Sequence, residues 1–135
     1  MSYCYPMRKR ILVVEDNAEQ VELVSFNLKR AGFSIGTATD GIQAIKKARS
    51  LLPDLILLDV MLPEMDGFAV CETLRRDPTT ASIPVIMVTA VSSTLASFAG
   101  REAGANEYVT KPFSFKHLLN CINALLPSGS SKARY

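Results

Sequence analysis

Residues Leu55-Ile56-Leu57-Leu58 form an uninterrupted apolar run that ends abruptly in a carboxylate, Asp59. The run is too short for a membrane span, and its density of branched aliphatics suits a strand buried on both faces of a parallel sheet. Pro63 and then Asp66-Gly67 stop the strand and turn the chain. Open parallel sheets collect their reactive groups beyond the carboxyl ends of their strands. Asp59 holds that position, and what surrounds it decides what it can do.

Two further runs share the pattern. Ile11–Val14 ends in Glu15-Asp16, and Val85–Val88 ends in Thr89. Tyr108-Val109-Thr110 is a short strand leading to Lys111-Pro112, and Phe33 to Thr39 is a weaker one, diluted by Gly36. Helical segments lie between them. Ala18 to Ala31 carries Val21, Val24 or Ser25, and Leu28 on one stripe, with Gly32 suited to the position just past its end. Asp40 can cap a segment with Ile42, Ile45 and Ala48 that stops before Pro53. Phe68 to Arg76 places Phe68, Cys71 and Leu74 or Arg75 at helical spacing, and Asp77-Pro78 ends it. Ser92 or Ser93 to about Ala103 makes a fourth helix, and Ser114 caps a fifth with Phe115, Leu118, Leu119, Ile122 and Leu125. Five strands alternating with five helices predict an α/β, doubly wound parallel sheet covered on both faces, with right-handed crossovers. The fourth helix is expected to be the least stable, because it holds Gly100 and several Ser/Thr residues; the glycine either loosens it or permits close packing. Residues 1–8 read as a loose lead-in, 9–126 as the domain and 127–135 as a disordered tail.

The whole chain has 135 residues, enough for one domain with a real core. A net charge of +2, with no basic cluster longer than Arg8-Lys9-Arg10, gives no electrostatic case for direct nucleic-acid binding. Cys4, Cys71 and Cys121 are odd in number and form no CxxC pair, which suits a reducing compartment. Glu15-Asp16 cuts the first apolar run before it could serve as a signal peptide, and nothing approaches the roughly 20 apolar residues of a spanning helix. A cytoplasmic protein without membrane insertion is therefore expected. His117, the only histidine, is read as a surface or packing residue without a metal-ligating neighbour at helical spacing.

In a parallel sheet the strand ends share one edge, so Glu15-Asp16, Asp59, Thr89 and Lys111 could converge. Each alone has an ordinary reading: an acid caps a helix, a threonine closes a turn, a lysine is solvated. Together, three carboxylates repel one another, and a hard divalent cation with oxygen ligands relieves the repulsion. Lys111 adds a point charge and Thr89 a hydroxyl donor. Such a site suits in-line phosphoryl transfer with Asp59 as nucleophile.

The segments Val13-Val14-Glu15-Asp16-Asn17, Leu58-Asp59-Val60-Met61-Leu62-Pro63-Glu64-Met65-Asp66-Gly67, Pro84-Val85-Ile86-Met87-Val88-Thr89-Ala90 and Ala103-Gly104-Ala105-Asn106-Glu107-Tyr108-Val109-Thr110-Lys111-Pro112-Phe113 resemble the receiver domain of two-component response regulators. The resemblance covers about residues 9–126. It implies a flavodoxin-like fold with strand order 2-1-3-4-5, the order that general accounts of this fold illustrate with a member of the same family. It implies that Asp59 accepts a phosphoryl group from a sensor histidine kinase or phosphotransfer protein, in a self-catalysed reaction rather than as an enzyme acting on other substrates. Glu15, Asp16, Asp59 and the Met61 backbone carbonyl would hold Mg2+ (or Mn2+), with Asp16 the more direct ligand and Glu15 acting through water. Lys111 would contact phosphoryl oxygens, the Lys111–Pro112 bond would be cis, and Thr89 and Tyr108 would form the switch. Output would pass through the fourth helix, fifth strand and fifth helix, from about Ser92 to Leu126, to a downstream protein target or output domain, with a phosphorylation-dependent homodimer as one option.

Two positions beside the site are apolar: Met61, two after Asp59, and Val91, two after Thr89. Neither side chain can orient a hydrolytic water by a strong hydrogen bond, so either the phosphoryl state is long-lived or both are ordinary rim residues. Rival functions fit less well. An aspartate-dependent phosphatase would want an acid at Met61, a flavin protein would not place Glu15-Asp16-Asn17 at its phosphate loop, and no GxxxxGK[ST] occurs. An interaction module of the same fold working without phosphorylation, or a receiver excised from a larger regulator, are the remaining alternatives.

Overall fold

The apolar tetrads form the centre of the sheet. The computed structural model describes residues 8–126, so nearly all of the expected lead-in and all of the expected tail at 127–135 lie outside the described residues. Strands and helices alternate as β1 (Arg10–Val14), α1 (Ala18–Arg30), β2 (Ser34–Ala38), α2 (Gly41–Leu51), β3 (Leu55–Leu58), α3 (Gly67–Arg76), β4 (Val85–Thr89), α4 (Thr94–Glu102), β5 (Glu107–Thr110) and α5 (Phe115–Leu125). All strand pairs are parallel, in the order β2-β1-β3-β4-β5. This is the flavodoxin-like order.

The pleat sorts each buried strand onto two cores. Leu12, Val14, Ile56, Leu58, Val85 and Met87 pack with Ala44, Ile45 and Ala48 of α2 and Val70, Cys71 and Leu74 of α3. Their strand neighbours Ile11, Val13, Leu55, Leu57, Ile86, Val88 and Val109 pack on the other face with Leu28 of α1 and Leu118 and Ile122 of α5. Burial of each such aliphatic side chain contributes about 1.5–3 kcal/mol, which is why these strands read as unbroken apolar runs. The register aligns Val14 with Leu58 and Leu58 with Met87, so the strand ends finish close to one level.

Each helix begins on a side-chain cap. Asn17, Asp40 and Asp66 accept from the backbone N–H three residues on, at 3.0, 2.8 and 2.8 Å. Ser93 and Ser114 do the same for Ala96 and His117, both at 3.0 Å. Such caps are worth about 1 kcal/mol each. Gly32, at φ +103°, takes the left-handed position past α1. At the end of α2 the left-handed residue is Leu52, and Pro53 follows.

Two expectations change in detail, and the two alternatives for Gly100 resolve into one. Ile42 is not part of the core stripe of α2: it is 49% exposed, and Ala44, Ile45 and Ala48 cover the sheet instead. β5 begins one residue earlier, at Glu107. Gly100 permits close packing: a Cβ there would lie 2.9 Å from Met87 Sδ and 3.0 Å from Tyr108 Cδ1. α4 can therefore sit tightly on β4 and β5.

At the amino edge of the sheet, Arg75 ties three segments together. Its Nε and Nη2 donate to the Gly104 carbonyl at 3.0 and 2.8 Å, and its Nη1 donates to the Ile83 carbonyl at 2.7 Å. Nη2 also donates to Asn106 Oδ1 at 3.0 Å, and that oxygen accepts the Val85 N–H at 2.9 Å. The fork of the guanidinium suits this set of acceptors as no ammonium could.

Candidate functional site

At the carboxyl edge, β1, β3, β4 and β5 deliver Glu15, Asp59, Thr89 and Lys111. Backbone pairing runs past the strand ends: Glu15 N donates to Ala38 O at 3.0 Å, Asp59 N to Val14 O at 3.1 Å and Lys111 N to Thr89 O at 2.8 Å. The side chains are therefore fixed by the sheet itself. Lys111 Nζ donates to Glu15 Oε1 at 2.7 Å and to Asp59 Oδ2 at 3.2 Å. The other oxygens of these acids accept backbone donors: Asp59 Oδ1 from Met61 N at 2.9 Å, and Glu15 Oε2 from Asn17 N at 3.1 Å. Glu15, Asp59 and Thr89 are all buried, at 8%, 7% and 0% exposure. The Lys111–Pro112 peptide is cis.

Burial pushes the Glu15 carboxyl above its ordinary pKa, and the neighbouring Asp59 adds to the rise; the Lys111 ammonium and the Asn17 N–H offset only part of it. Burial alone would depress Lys111, but its hydrogen bond to Glu15 and the Asp59 charge outweigh it, and the ammonium is held above its ordinary value. Two buried acids against one half-buried base leave a deficit of positive charge at a mouth lined with oxygen atoms.

Asp16 stands apart. It is exposed and makes no ion pair among the described residues. Accordingly, no three His, Cys, Asp or Glu side chains converge as a metal-binding group among the described residues. The donor set nevertheless fits a hard divalent cation, since Mg2+ is usually held by one or two carboxylates with water and phosphate oxygens completing its shell. Glu15, Asp59, the adjacent Asp16 and the Met61 carbonyl would offer such an ion oxygen ligands only, and the charge deficit at the mouth suits a cation.

Thr89 and Tyr108 meet through one residue. Val91 N donates to Thr89 Oγ1 at 3.3 Å, and Tyr108 Oη donates to the Val91 carbonyl at 2.7 Å. The Tyr108 ring is half-buried beside Gly100. Burial, then the Asp59 charge, raises its phenol pKa. Met61 side-chain atoms point outward, at 62% exposure, while its N–H is bound to Asp59.

The sequence reading missed two features. Asp66-Gly67 is more than a turn: Asp66 caps α3, and a Cβ on Gly67 would lie 2.6 Å from the Asp59 carbonyl oxygen and 2.7 Å from Val60 Cα. Only glycine lets α3 start that close to the end of β3. His117 also has a ligand-type neighbour, because Cys121 is four residues on, with Sγ 3.8 Å from His117 Nε2. That spacing was visible in the sequence.

A parallel five-stranded sheet in this order, with acids, a hydroxyl and a lysine at its carboxyl edge, defines a receiver-type fold. The family model described as the response regulator receiver domain matches residues 11–123, and the chain belongs to that family. It is 47% identical over 117 residues to the DNA-binding dual master transcriptional regulator RpaA of Synechocystis, covering 87% of this chain and 48% of that protein. It superposes on the chemotaxis response regulator CheY4 of Vibrio cholerae with a TM-score of 0.83 at 31% identity, covering 89% of this chain and 100% of that one. It is also similar to the receiver domain of the sensor histidine kinase PA1611 of Pseudomonas aeruginosa, whose structure has a magnesium ion coordinated in the active site cleft (TM-score 0.82, 29% identity, 88% and 98% coverage). The chain spans about half the length of the curated relatives it matches. Among the described residues, no helix is long and apolar enough to cross a membrane.

Proposed function

We propose that Asp59 is the phosphoacceptor of a phosphorylation switch spanning residues 9–126. The observation that carries this is the bridge from Lys111 to both Glu15 and Asp59 at the carboxyl edge of the sheet. A carboxylate oxygen of Asp59 attacks the phosphorus of a phosphohistidine on a sensor kinase or phosphotransfer protein. The new P–O bond forms as the P–N bond breaks, and the electron pair leaves with the imidazole nitrogen. The Met61 N–H and Lys111 orient the Asp59 carboxylate before the reaction, and the Lys111 ammonium then faces the charge arriving on the phosphoryl oxygens. Glu15, Asp16, Asp59 and the Met61 carbonyl would hold Mg2+, which supplies neutralisation of the phosphoryl charge when bound. Thr89 offers its hydroxyl to the arriving group. Because Val91 joins Thr89 to Tyr108, a shift of Thr89 reaches the α4–β5–α5 surface, where a target protein, an output domain or a second copy would read it.

An open groove between α1 and the loop after β5, lined by Leu23, Val24, Asn27, Ala90, Pro112 and Phe113, borders Lys111 and offers a donor protein a place to dock beside the site. The length of the relatives favours a second reading alongside the first: the domain works as the receiver of a longer regulator with its own output segment.

Incubation with acetyl phosphate and Mg2+, followed by intact mass measurement, tests the assignment. One phosphoryl adduct is expected on the wild-type chain and none on Asp59→Asn. An adduct that survives Asp59→Asn overturns the site; no adduct on the wild type favours an interaction module that works without phosphorylation.

A further inference from the structure

On α5 the side chains of His117 and Cys121 project from successive turns and meet outside the acidic site. Sγ lies 3.8 Å from Nε2; His117 is exposed and Cys121 half-buried. A weak S–H···N hydrogen bond satisfies that distance, and so does a shared metal ion. With a Zn–S bond of about 2.3 Å and a Zn–N bond of about 2.0–2.1 Å, a separation of 3.8 Å closes an S–Zn–N angle of about 120°. That is near tetrahedral, so the pair can grip an ion with no movement of the helix backbone. The i, i+4 relation holds the two donors on one face, and the helix fixes their spacing in advance.

We propose that His117 and Cys121 form a bidentate site for a thiophilic divalent cation of the Zn2+ class, on α5 and separate from the oxygen-lined pocket around Asp59. The ligand types set the selectivity: thiolate and imidazole suit zinc, whereas Mg2+ takes oxygen donors. Glu107, whose charge reaches the Cys121 thiol, is not counted as a ligand, because Arg101 holds its Oε1 at 2.8 Å. Two protein donors leave the remaining positions to water or to a ligand from a partner. Binding exchanges the thiol proton for the metal: an S–metal bond forms, and the proton passes to solvent. Burial and the Glu107 charge keep the free thiol protonated, so the metal must displace that proton rather than find a thiolate waiting.

Cobalt(II) titration tests the site, since a cobalt–thiolate bond gives a near-ultraviolet charge-transfer band that oxygen ligation lacks. The chain carries Cys4→Ser throughout, so that Cys121 and the buried Cys71 are the thiols in play. A saturable band at one equivalent is expected, bleached by Zn2+, absent in Cys121→Ser and absent in His117→Ala. The same band is expected in Asp59→Asn. Zinc should also slow alkylation of Cys121, read by peptide mass. No saturable band overturns the proposal. So does a band that survives His117→Ala, which would mean a thiol acting alone, or one lost in Asp59→Asn, which would place the ion in the acidic pocket.

Discussion

Gly67→Ala should destabilise the domain through contact alone. Gly67 begins α3, and its N–H donates to the Val60 carbonyl at 2.8 Å. An added methyl would lie 2.6 Å from the Asp59 carbonyl oxygen and 2.7 Å from Val60 Cα. Both are backbone atoms at the end of a central strand, so neither can rotate aside. Overpacking of this kind costs about 1–3 kcal/mol, and the immobility of both neighbours puts the cost in the upper half of that range. Alanine returns up to about 1 kcal/mol of helix propensity. The net loss is about 1–3 kcal/mol, or a fall of about 4–12 °C in melting temperature for a domain of this size. Thermal melts followed by circular dichroism measure it directly. An unchanged or raised melting temperature would refute the reasoning, since it would show that the strand end yields at no cost. The displaced atoms belong to Asp59 and its neighbour, so phosphorylation by acetyl phosphate should also slow well below the melting temperature.

Ser25→Ala should raise stability by about 1 kcal/mol in urea denaturation, because the buried Ser25 hydroxyl has no hydrogen-bond partner among the described residues; a fall would mean that water satisfies it. Arg75→Lys should lower stability by about 1–3 kcal/mol in the same assay, since an ammonium cannot reproduce the fork that reaches Gly104, Ile83 and Asn106. Glu15 gives a pH signature. Its folded-state pKa is raised above the ordinary 4.5, so its contribution to stability is full below that pH and lost as the pH rises through the folded value. Glu15→Gln does not titrate, and its melting temperature should gain on the wild type as the pH climbs above 4.5; a constant difference across the weakly acidic range would contradict the shift. Met61→Asn combined with Val91→Glu should speed loss of the phosphoryl group, timed by intact mass after donor removal, because both new side chains can orient water. Unchanged decay would leave Met61 and Val91 as ordinary rim residues.

The central strands were legible because double burial writes itself as unbroken apolar sequence: Ile11–Val14, Leu55–Leu58 and Val85–Val88 lie inside β1, β3 and β4. Asp40 and Ser114 were legible as caps because local spacing alone defines them, whereas the sequence allows the fourth helix to start at Ser92 or Ser93, and Ser93 proves to be its cap. Asn17 was not, since the acids before it drew the capping role to themselves. What depends on distant partners left little trace. Arg75 looks like one more helix-end cation until Gly104, 29 residues away, arrives at its guanidinium. Gly67 announces a turn in sequence, whereas its necessity lies in the backbone of Asp59. Ile42 has the spacing of a core residue, but the alanines of α2 approach the sheet more closely and leave it outside. At the carboxyl edge, the residue types at the strand ends were readable, but the outward placement of Asp16 and the inward placement of Glu15 were not, because adjacent residues beyond a strand point opposite ways.

The bridge at Lys111 also orders events along the growing chain. Its two contacts span 96 and 52 residues. Glu15 and Asp59 are synthesised long before the ammonium that offsets them, and a ribosome-bound chain ending at β4 would hold two acids at an unbalanced strand edge. The bridge therefore cannot close until the last strand docks and brings Lys111 to the edge.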